Sequence, residues 1–431
     1  MPNLVVILAD DMGYNDVGCY GALRETTPAI DRLAASAIRF ERAYSTSSWT
    51  IPAVASMISG MYPSRHMATS FDRRLPAEAD TLAEVLRANG YATAGVVSHA
   101  AIGSRRDFDQ GYDVYLEGEA RGHDHVSTQG VTRQAVERME ALAAGDKPFL
   151  LFVHYFDPHY NYKRHPEYGF APDSAGRLGG AEQMQELRRM AAEMTPQEVD
   201  FLRALYDEEI RFTDAGVGRL LERLDALGLR DETLIVFTAD HGEGFLAHGH
   251  LGHTSTLYEE LVRVPLILRP PGLAAPGRVV RRPVSVVALT PTILDLVGVD
   301  ASDLALQAGS LTPWFGGAWD GEPVEVYCEV DFVPVRASRL VPETHKQALI
   351  GKRYKLIRDG AAGSLELYDL GEDAEETHDL AELRPTLTAE LAGGLERWMA
   401  QAATEALDAT EIRLDEAEIE RLEALGYVGE D

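Results

Sequence analysis

The chain has 431 residues, of which 45% are hydrophobic and 25% charged, the composition of an ordinary globular protein. A single core stops growing near roughly 250–300 residues, so this length predicts more than one domain. The formal net charge of -29 makes nucleic acid and other polyanions poor partners, because they are repelled at long range. No stretch approaches roughly 18 consecutive apolar residues, so no membrane span is predicted.

Short apolar runs alternate with amphipathic stretches in the first part of the chain, and this pattern predicts buried strands joined by helices. The predicted strands are Leu4–Leu8, Ala92–Val97, Phe149–His154, Leu234–Thr238 and Val264–Leu268, and the predicted helices are Ala29–Ala35, Leu82–Asn89, Ala135–Leu142 and Phe201–Leu227. The alternation indicates an α/β fold with a doubly wound, mostly parallel sheet flanked by helices.

From about residue 340 the pattern changes to consecutive short strands followed by a helix. The predicted strands are Gln347–Ile350, Tyr354–Ile357 and Leu365–Leu370, and the helix lies around Leu387–Ala403. Strands joined by short turns predict a small antiparallel sheet. We therefore predict a catalytic domain over residues 1–335 and a smaller α+β subdomain over residues 336–431.

The first residues, Met1-Pro-Asn-Leu-Val-Val-Ile-Leu, enter a predicted strand at once and leave no room for a signal peptide. A cytoplasmic location is expected for the chain as written, and a periplasmic or secreted one if a leader has been removed. Cys19 and Cys328 lie far apart and lack metal-ligand spacing. Two free thiols are expected, although an exported protein could pair them.

Acidic residues follow two of the predicted strands directly. Asp10 and Asp11 come after Leu4–Leu8, and Asp240 with His241 comes after Leu234–Thr238, ahead of a glycine-rich turn. Open α/β sheets keep their active sites at these strand ends. Adjacent carboxylates repel each other unless a cation lies between them. The alternative for one aspartate is a helix N-cap, and for Asp240 and His241 an ordinary structural role.

Thr50 stands in the stretch "STSSWTIPAVASMISGMYPSRH", two residues before Pro52. Proline is favoured in the first turn of a helix, so the predicted helix Ala53–Ile58 begins near Thr50. One interpretation is a plain threonine N-cap. The other is a functional group at a helix N-terminus, where the dipole and free amides stabilise a developing anion.

Histidines form a third set of candidates, because imidazole binds metals and exchanges protons near neutral pH. A lone histidine is more often structural, but these cluster beside predicted strand ends. The histidines are His154 and His159 in "FVHYFDPHYNY", His248, His250 and His253 in "AHGHLGHTSTLYEE", and His66 and His99.

Several segments, in order along the chain, carry a resemblance to one family. They are "PNLVVILADDMGYNDVGCYG", "TPAIDRLAASAIRFERAYS", "YDEEIRFTDAGVGRLLERLDALGLRDETLIVFTADHGEG", "LYEELVRVPLILRPPG", "ALTPTILDLVGV", "KRYKLI", "LELYDLGEDAEETHDLAE" and "LEALGYV". From end to end the chain resembles the sulfatase family of the alkaline phosphatase superfamily. The resemblance implies that family's α/β fold and a metal-dependent ester hydrolase.

The resemblance also implies one divalent metal ion, Zn²⁺, Mn²⁺ or Ca²⁺. The implied ligands are Asp10, Asp11, Asp240 and His241. The pair Asp240-His241 occupies the slot where many sulfatases have Asp-Asn around calcium, and an imidazole ligand shifts the preference toward zinc or manganese. A second metal stays open, since Asp157, His159 and the histidines of residues 248–253 can supply ligands.

The chain departs from the family at the nucleophile. Sulfatases carry Cys or Ser followed by x-Pro-Ser-Arg, and alignment on Pro52 puts Thr50 at the nucleophile, Ala53 at the serine and Val54 at the arginine. Threonine cannot give formylglycine, because the oxidation needs a primary CH₂. Thr50 is therefore predicted to be a metal-activated nucleophile, as in the phosphodiesterase and phosphoethanolamine-transferase branches that the arrangement resembles.

Two histidines are expected to assist Thr50. His159 resembles the family's substrate-binding histidine and is expected at the leaving group or a non-bridging oxygen. His253 falls where sulfatases have an anion-binding lysine, so sulfate-monoester specificity does not follow from the resemblance. The further residues predicted to bind substrate are His99, His66, Asp157 and His248.

The predicted function is metal-dependent hydrolysis of a small phosphate or sulfate ester. The favoured activity is that of a phosphodiesterase or a phosphomonoesterase. Three alternatives stay open: a sulfuric ester hydrolase without formylglycine, a phosphoethanolamine-type transferase, and a catalytically degenerate anion-binding homologue. Residues 105–130 and 160–200, which would select the substrate, match no recognisable pattern. Nothing in the sequence indicates the oligomeric state.

Overall fold

The computed structural model describes residues 1–121, 125–273, 276–315, 325–335 and 342–424. The strands are β1 (Asn3–Ala9), β2 (Ile38–Tyr44), β3 (Arg73–Arg74), β4 (Ala92–Val96), β5 (Val114–Leu116), β6 (Phe149–Tyr155), β7 (Thr233–Ala239), β8 (Arg263–Arg269), β9 (Arg278–Ser285), β10 (Val326–Phe332), β11 (Thr344–Ile350), β12 (Tyr354–Asp359), β13 (Leu365–Asp369) and β14 (Thr410–Glu411). The α-helices are α1 (Pro28–Ala35), α2 (Thr50–Ser59), α3 (Pro63–His66), α4 (Leu82–Ala88), α5 (Thr128–Ala143), α6 (Met184–Met190), α7 (Pro196–Ala226), α8 (Glu259–Val262), α9 (Leu289–Val297), α10 (Pro385–Glu405) and α11 (Glu416–Ala424).

The main sheet has eight strands in the order β5-β4-β6-β1-β7-β8-β2-β9. Its centre is parallel, because β1 pairs in parallel with both β6 and β7. Strand β8 runs antiparallel to both of its neighbours. Every residue of β6 and β7 is buried, which is typical of strands covered on both faces. The predicted doubly wound, mostly parallel α/β sheet is confirmed.

The long helix α7 begins earlier than its apolar pattern alone predicts. Thr195 and Glu198 form a capping box at its start, and Pro196 occupies the first turn. These residues set the N-terminus five residues before the predicted start at Phe201. Helix α7 packs against α5 and α1, and its buried face carries Tyr206 toward the end of β1.

The smaller sheet is antiparallel, in the order β10-β11-β12-β13, and helix α10 packs on it. The predicted C-terminal α+β subdomain is therefore confirmed as part of the fold. Strand β10 lies before the predicted boundary at residue 335, and residues 336–341 lie outside the described residues, so the domain limits stay a prediction. The last residues of the "LEALGYV" segment, 425–428, also lie outside them.

The structure also bears on two predictions made for the whole chain, which concern its cysteines and a membrane span. Cys19 and Cys328 are free thiols. Within the described ranges, no helix combines the length and apolar character needed to cross a membrane.

The parallel centre of the sheet brings distant segments to one edge. Strands β6, β1 and β7 are neighbours and run in the same direction, so their C-terminal ends meet. The backbone N–H of Asp10 extends this pairing by donating to the Tyr155 carbonyl at 2.9 Å. The residues that follow the three strands therefore lie together.

Candidate active site

The first group of candidate metal ligands contains Asp10, Asp240 and His241, all buried, with ligand atoms within 4.8 Å of one another. His241 Nε2 lies 3.4 Å from Asp240 Oδ2 and 3.9 Å from Asp10 Oδ1. His241 Nδ1 lies 3.0 Å from the Gly242 carbonyl oxygen, which can only accept a hydrogen bond. Nδ1 therefore carries the hydrogen, and Nε2 offers its lone pair toward the carboxylates.

The buried negative charges of this first group are stabilised if a cation lies between them. Burial, followed by repulsion from Asp240, raises the pKa of Asp10 well above its ordinary value. Neither Asp10 Oδ2 nor Asp240 Oδ2 has a hydrogen-bond partner among the described residues. A divalent cation fits these orphaned oxygens, because carboxylates and imidazoles are common ligands of such ions.

Thr50 is the first residue of α2 and points its hydroxyl at the first group. Its Oγ1 lies 3.4 Å from Asp10 Oδ1 and 3.4 Å from His241 Nε2. The N-cap of α2 is Trp49, and no side chain caps the helix. Thr50 is therefore not the helix cap, and its hydroxyl is available at the candidate metal ligands.

A second group contains Asp11, His159 and His253, again buried and with ligand atoms within 4.8 Å of one another. His159 Nε2 lies 3.8 Å from Asp11 Oδ2, and His253 Nδ1 lies 3.4 Å from Asp11 Oδ1. The sequence placed Asp11 with Asp10, Asp240 and His241 around one metal. In the structure Asp11 shares a group with the two histidines predicted to be catalytic. Its Oδ1 also lies 3.0 Å from His241 Nδ1 in the first group, so a role for Asp11 beside the first group stays a prediction.

Two more histidines approach Asp10 from neighbouring strands. His154, near the end of β6, has its Nε2 3.4 Å from Asp10 Oδ2, and burial lowers its pKa to about 4. His99, which follows β4, has its Nε2 3.9 Å from the same oxygen, and its Nδ1 accepts a hydrogen bond from the Ala101 N–H. His99 was predicted to bind substrate, and it lies at the edge of the site.

The other predicted substrate-binding residues lie outside both groups. Asp157 accepts hydrogen bonds at the start of α5, including one of 2.7 Å from the Thr128 N–H. His66 lies beneath α2 and contacts Ser56 Oγ at 3.0 Å. His248 Nδ1 lies 3.2 Å from Glu260, and its ring stacks on Tyr258. The substrate-binding roles of Asp157, His66 and His248 stay predictions.

Three neighbours of the site have no role predicted from the sequence. Glu243 Oε1 lies 3.3 Å from His253 Nδ1, and its Oε2 accepts a hydrogen bond from the Tyr162 hydroxyl. His154 was one of the candidate histidines but had no specific predicted role. Two sequence positions could have placed these residues near the site: His154 lies at a strand end, and Glu243 lies three residues after Asp240. Tyr162 gave no signal, because its partner is distant in sequence.

A cavity of about 500 Å³ adjoins the site on the side of His99. Its lining includes His99 and Phe156. The charged residues of the lining are Arg105, Arg106, Arg121, Glu117 and Glu418. The wall therefore comes partly from residues 105–130, one of the two segments expected to select the substrate.

Comparison with known proteins places the chain in a family. A family model described as Sulfatase matches residues 2–299, and one described as N-sulphoglucosamine sulphohydrolase, C-terminal, matches residues 248–403. The chain belongs to the sulfatase family. It is thus a hydrolase within the alkaline phosphatase superfamily, as its sequence motifs implied.

Named relatives agree with this membership. Arylsulfatase A of Homo sapiens is 29% identical over 372 residues, covering 72% of this sulfatase-family chain and 67% of that protein. The uncharacterized sulfatase YidJ of Escherichia coli K12 is 26% identical over 423 residues, covering 88% and 83%. The phosphonate monoester hydrolase of Agrobacterium radiobacter has the same fold, with a TM-score of 0.76 at 22% identity, covering 96% of this chain and 100% of that one. The chain spans about two thirds of arylsulfatase A.

Proposed function

We propose that this sulfatase-family hydrolase cleaves phosphate esters, diesters or monoesters, with the Thr50 hydroxyl as nucleophile and a divalent cation held by Asp10, Asp240 and His241. The observation that carries the proposal is the position of Thr50 Oγ1, 3.4 Å from Asp10 Oδ1 and 3.4 Å from His241 Nε2. A threonine that only capped α2 would instead accept a hydrogen bond from an N–H of the first turn.

The chemistry of threonine argues against the formylglycine route to sulfate. Its side-chain carbon carries a methyl group, so oxidation would give a ketone and not the aldehyde that formylglycine requires. Val54, at the position aligned with the family's arginine, carries no charge. Burial lowers the pKa of His253 to about 4, so near pH 7 this residue does not replace the positive charge of a lysine.

The proposed reaction has two displacement steps. Thr50 Oγ1 attacks phosphorus and loses its proton to water, while the ester P–O bond breaks and the leaving oxygen gains a proton from water. Water then attacks the threonine phosphoester, which restores Thr50 and releases phosphate or a phosphate monoester. A bound divalent cation supplies Lewis acidity to the hydroxyl and the ester oxygen. The N-terminus of α2 favours negative charge at Thr50.

The cavity beside His99 is the place we assign to the organic group of the ester. Phe156 offers an apolar wall there, and the charged lining has three arginines against two glutamates, Glu117 and Glu418. Arg106 already donates to the Phe71 carbonyl, and Arg105 pairs with Glu418 at 2.7 Å. A leaving group that is part aromatic and part anionic fits this lining.

The test compares turnover of p-nitrophenyl phosphate, bis-p-nitrophenyl phosphate, a phosphonate monoester and p-nitrophenyl sulfate, each with added Zn²⁺, Mn²⁺ or Ca²⁺. Thr50→Ala should lower kcat on phosphate esters roughly 100-fold or more, about 2.7 kcal/mol of transition-state stabilisation. Thr50→Ser should keep partial activity, since a primary hydroxyl can still attack. Thr46→Ala is the matched control, because it removes a buried hydroxyl with no hydrogen-bond partner among the described residues.

Rapid acid quench followed by mass spectrometry should find phosphate on the Thr50 peptide of the parent enzyme and not of Thr50→Ala. Full activity of Thr50→Ala would refute the proposed nucleophile. Sulfate esters are the second candidate substrate, favoured by the sulfatase names of the curated relatives. Faster turnover of p-nitrophenyl sulfate than of every phosphate ester would select it. Product that depends on an added alcohol acceptor would indicate a transferase.

A further inference from the structure

The last part of the chain returns to the catalytic domain and reaches the cavity beside the candidate active site. This segment, residues 406–424, is the C-terminal strap, and it follows helix α10. Its strand β14 pairs antiparallel with β3, and the Ile412 N–H donates to the Asp72 carbonyl at 2.7 Å. Helix α11 then lies against the cavity, because Glu418 and Leu422 belong to the lining.

Arg105 joins the C-terminal strap to the wall of the cavity. Its Nη2 lies 2.7 Å from Glu418 Oε2, and its Nη1 lies 2.9 Å from Asp415 Oδ2. Arg105 and Asp415 are exposed, whereas Glu418 is buried. Water screens ion pairs at such a position, so another anion can take the place of a strap carboxylate on Arg105.

Arg106, the next residue, has a buried guanidinium with a distant counter-ion. Its side chain is 4% exposed, and its Nε and Nη2 donate to the Phe71 carbonyl at 3.0 and 2.8 Å. Among the described residues, Glu418 is the one carboxylate within 4.0 Å of this guanidinium, at 3.9 Å from Nη2. Burial lowers the pKa of Arg106 below its ordinary value. A closer anion would stabilise this buried charge.

The same cavity extends to the candidate metal ligands. His99 belongs to its lining, and His99 Nε2 lies 3.9 Å from Asp10 Oδ2. Phe156 also belongs to the lining, and its ring lies 4.9 Å from that of His99 between centroids. One cavity therefore combines an apolar wall beside the candidate metal ligands with the arginine pair, Arg105 and Arg106.

The other charged residues of the lining have partners of their own. Glu117 accepts hydrogen bonds from the Ser104 N–H at 3.0 Å and from Ser104 Oγ at 2.8 Å. Arg121 is 60% exposed, and its Nε donates to the Gly118 carbonyl at 3.0 Å. Glu418 is therefore the carboxylate of the lining that faces the arginine pair.

We propose that the leaving group of the substrate carries a carboxylate, and that this carboxylate binds the arginine pair in place of Glu418 of the C-terminal strap. The inference rests on the proposed function for the position of the ester at Thr50, and it adds the charge of the leaving group and the residues that recognise it. A carboxylate fits because it matches the Glu418 group that now faces both arginines. The planar guanidinium binds such a group through two parallel hydrogen bonds.

Glu418 is then a specificity-determining residue. It competes with the carboxylate of the substrate for Arg105, and it repels that carboxylate. A leaving group that is neutral does not displace Glu418, so it gains nothing from the arginine pair. Removal of the Glu418 charge should therefore favour anionic leaving groups and leave neutral ones unaffected.

The kinetic test compares 4-carboxyphenyl phosphate with 4-carbamoylphenyl phosphate, which have similar shapes and differ by one charge. The parent should have a KM about 10-fold lower for the carboxylate, as expected for one charge-assisted contact. Glu418→Gln should lower that KM by a further factor of roughly 3, since it removes a competing ion pair. Arg105→Gln should raise it toward the KM of the amide. The KM of the amide should stay the same in both variants.

Two matched controls change a similar charge outside the cavity. Glu416→Gln alters an exposed glutamate of the same helix α11 that is not in the lining. Arg74→Gln alters an arginine that pairs with Asp107 at 3.1 Å and is not in the lining either. Both should keep the KM values of the parent, and circular dichroism checks that every variant is folded.

Binding without turnover separates this inference from the proposed function. 4-Hydroxybenzoate, 4-hydroxybenzenesulfonate and 4-hydroxybenzamide are titrated calorimetrically onto the full chain. The carboxylate should bind most tightly to the parent, more tightly still to Glu418→Gln, and no better than the amide to Arg105→Gln. Equal affinity for carboxylate and amide in both the parent and Glu418→Gln would overturn the inference, as would tighter binding of the sulfonate. Carboxylate-selective binding without hydrolysis of any phosphate ester would leave the carboxylate site standing and refute the proposed function. Hydrolysis that depends on Thr50 but shows no preference for a carboxylate would do the reverse.

Discussion

Asp11 has an unusual backbone conformation directly after the end of β1. Its φ of 57° lies in the left-handed region, which aspartate tolerates better than most residues. Asp10 belongs to the first group and Asp11 to the second, and Asp11 Oδ1 also lies 3.0 Å from His241 Nδ1 of the first group. The Tyr206 hydroxyl holds this turn by donating to the Asp11 carbonyl at 2.6 Å and accepting from the Gly13 N–H at 3.1 Å.

Tyr206→Phe should therefore disturb the turn that carries Asp11. The change leaves the Gly13 N–H and the Asp11 carbonyl without their buried partner, which costs about 1–3 kcal/mol. The expected result is a lower denaturation midpoint and weaker binding of Zn²⁺ to the chain, seen by calorimetric titration. Tyr168→Phe, at a partly exposed tyrosine, should change neither. Unchanged midpoint and affinity in Tyr206→Phe would mean that the hydroxyl does not hold the turn.

At the residue scale, the sequence predicted which candidate ligands lie close together, but not how they are distributed between the two groups. Asp10 and Asp240 could be paired because each directly follows a buried strand, and Thr50 because a proline marks the helix start. The backbone angle of Asp11 and its place beside His159 and His253 are not visible in any spacing along the sequence. The support of His253 by Glu243 depends on loop geometry, which is equally invisible in sequence.

Helix α2 is the element that carries Thr50, and it is buried along its whole length. His66 supports it from below, with Nε2 3.0 Å from Ser56 Oγ and Nδ1 accepting from the Ala68 N–H at 3.1 Å. Burial lowers the pKa of His66 to about 3. The folded chain therefore keeps this imidazole neutral where an unfolded chain would protonate it.

His66 should make the fold sensitive to mild acid. Below the unfolded pKa of about 6.5 the unfolded chain binds a proton that the folded chain does not, so stability falls as pH falls toward about 3, by up to about 1.4 kcal/mol per pH unit. His66→Gln should lose less stability than the parent between pH 6.5 and 5.5, measured by urea denaturation. His378→Gln, at an exposed histidine, should follow the parent. An equal loss in parent and His66→Gln would contradict the prediction.

Strands and helices could be predicted from the sequence where their apolar pattern is local. Features that depend on distant parts of the chain could not be predicted. Strand β7 and helix α7 were predicted from their apolar pattern. Strand β8 was predicted as a strand, but its antiparallel direction depends on the path of the chain over the sheet edge. Strand β10 was missed because its partner β11 lies beyond a long connection.

At the scale of the whole molecule, the small sheet supports the segment that leads to Thr50. Strand β10 donates from the Glu329 N–H to the Thr46 carbonyl at 2.7 Å and from Cys328 Sγ to the Ser45 carbonyl at 3.0 Å. The rings of Phe332 and Trp49 meet edge to face at 5.3 Å. The C-terminal sheet is thus part of the support of the site.

A buried ion triad fastens this sheet to the main domain. Lys355 Nζ, on β12, lies 3.1 Å from Glu259 and 2.9 Å from Glu376, and its side chain is fully buried. Lys355→Met leaves two buried carboxylates without their cation, so it should destabilise the protein by about 3–5 kcal/mol in urea or thermal denaturation. Lys346→Met is the matched control, because Lys346 lies 3.7 Å from Asp359 in a partly exposed pair, and it should cost at most about 1 kcal/mol.

A triple variant that also neutralises both glutamates distinguishes the contribution of charge to stability from that of packing at this interface. Lys355→Met combined with Glu259→Gln and Glu376→Gln leaves no buried charge unpaired, so it should recover much of the stability that Lys355→Met loses. Recovery would assign the loss to electrostatics. If Lys355→Met is as stable as the parent, the triad does not hold the sheet, and the contacts of β10 with the segment before Thr50 must do so alone.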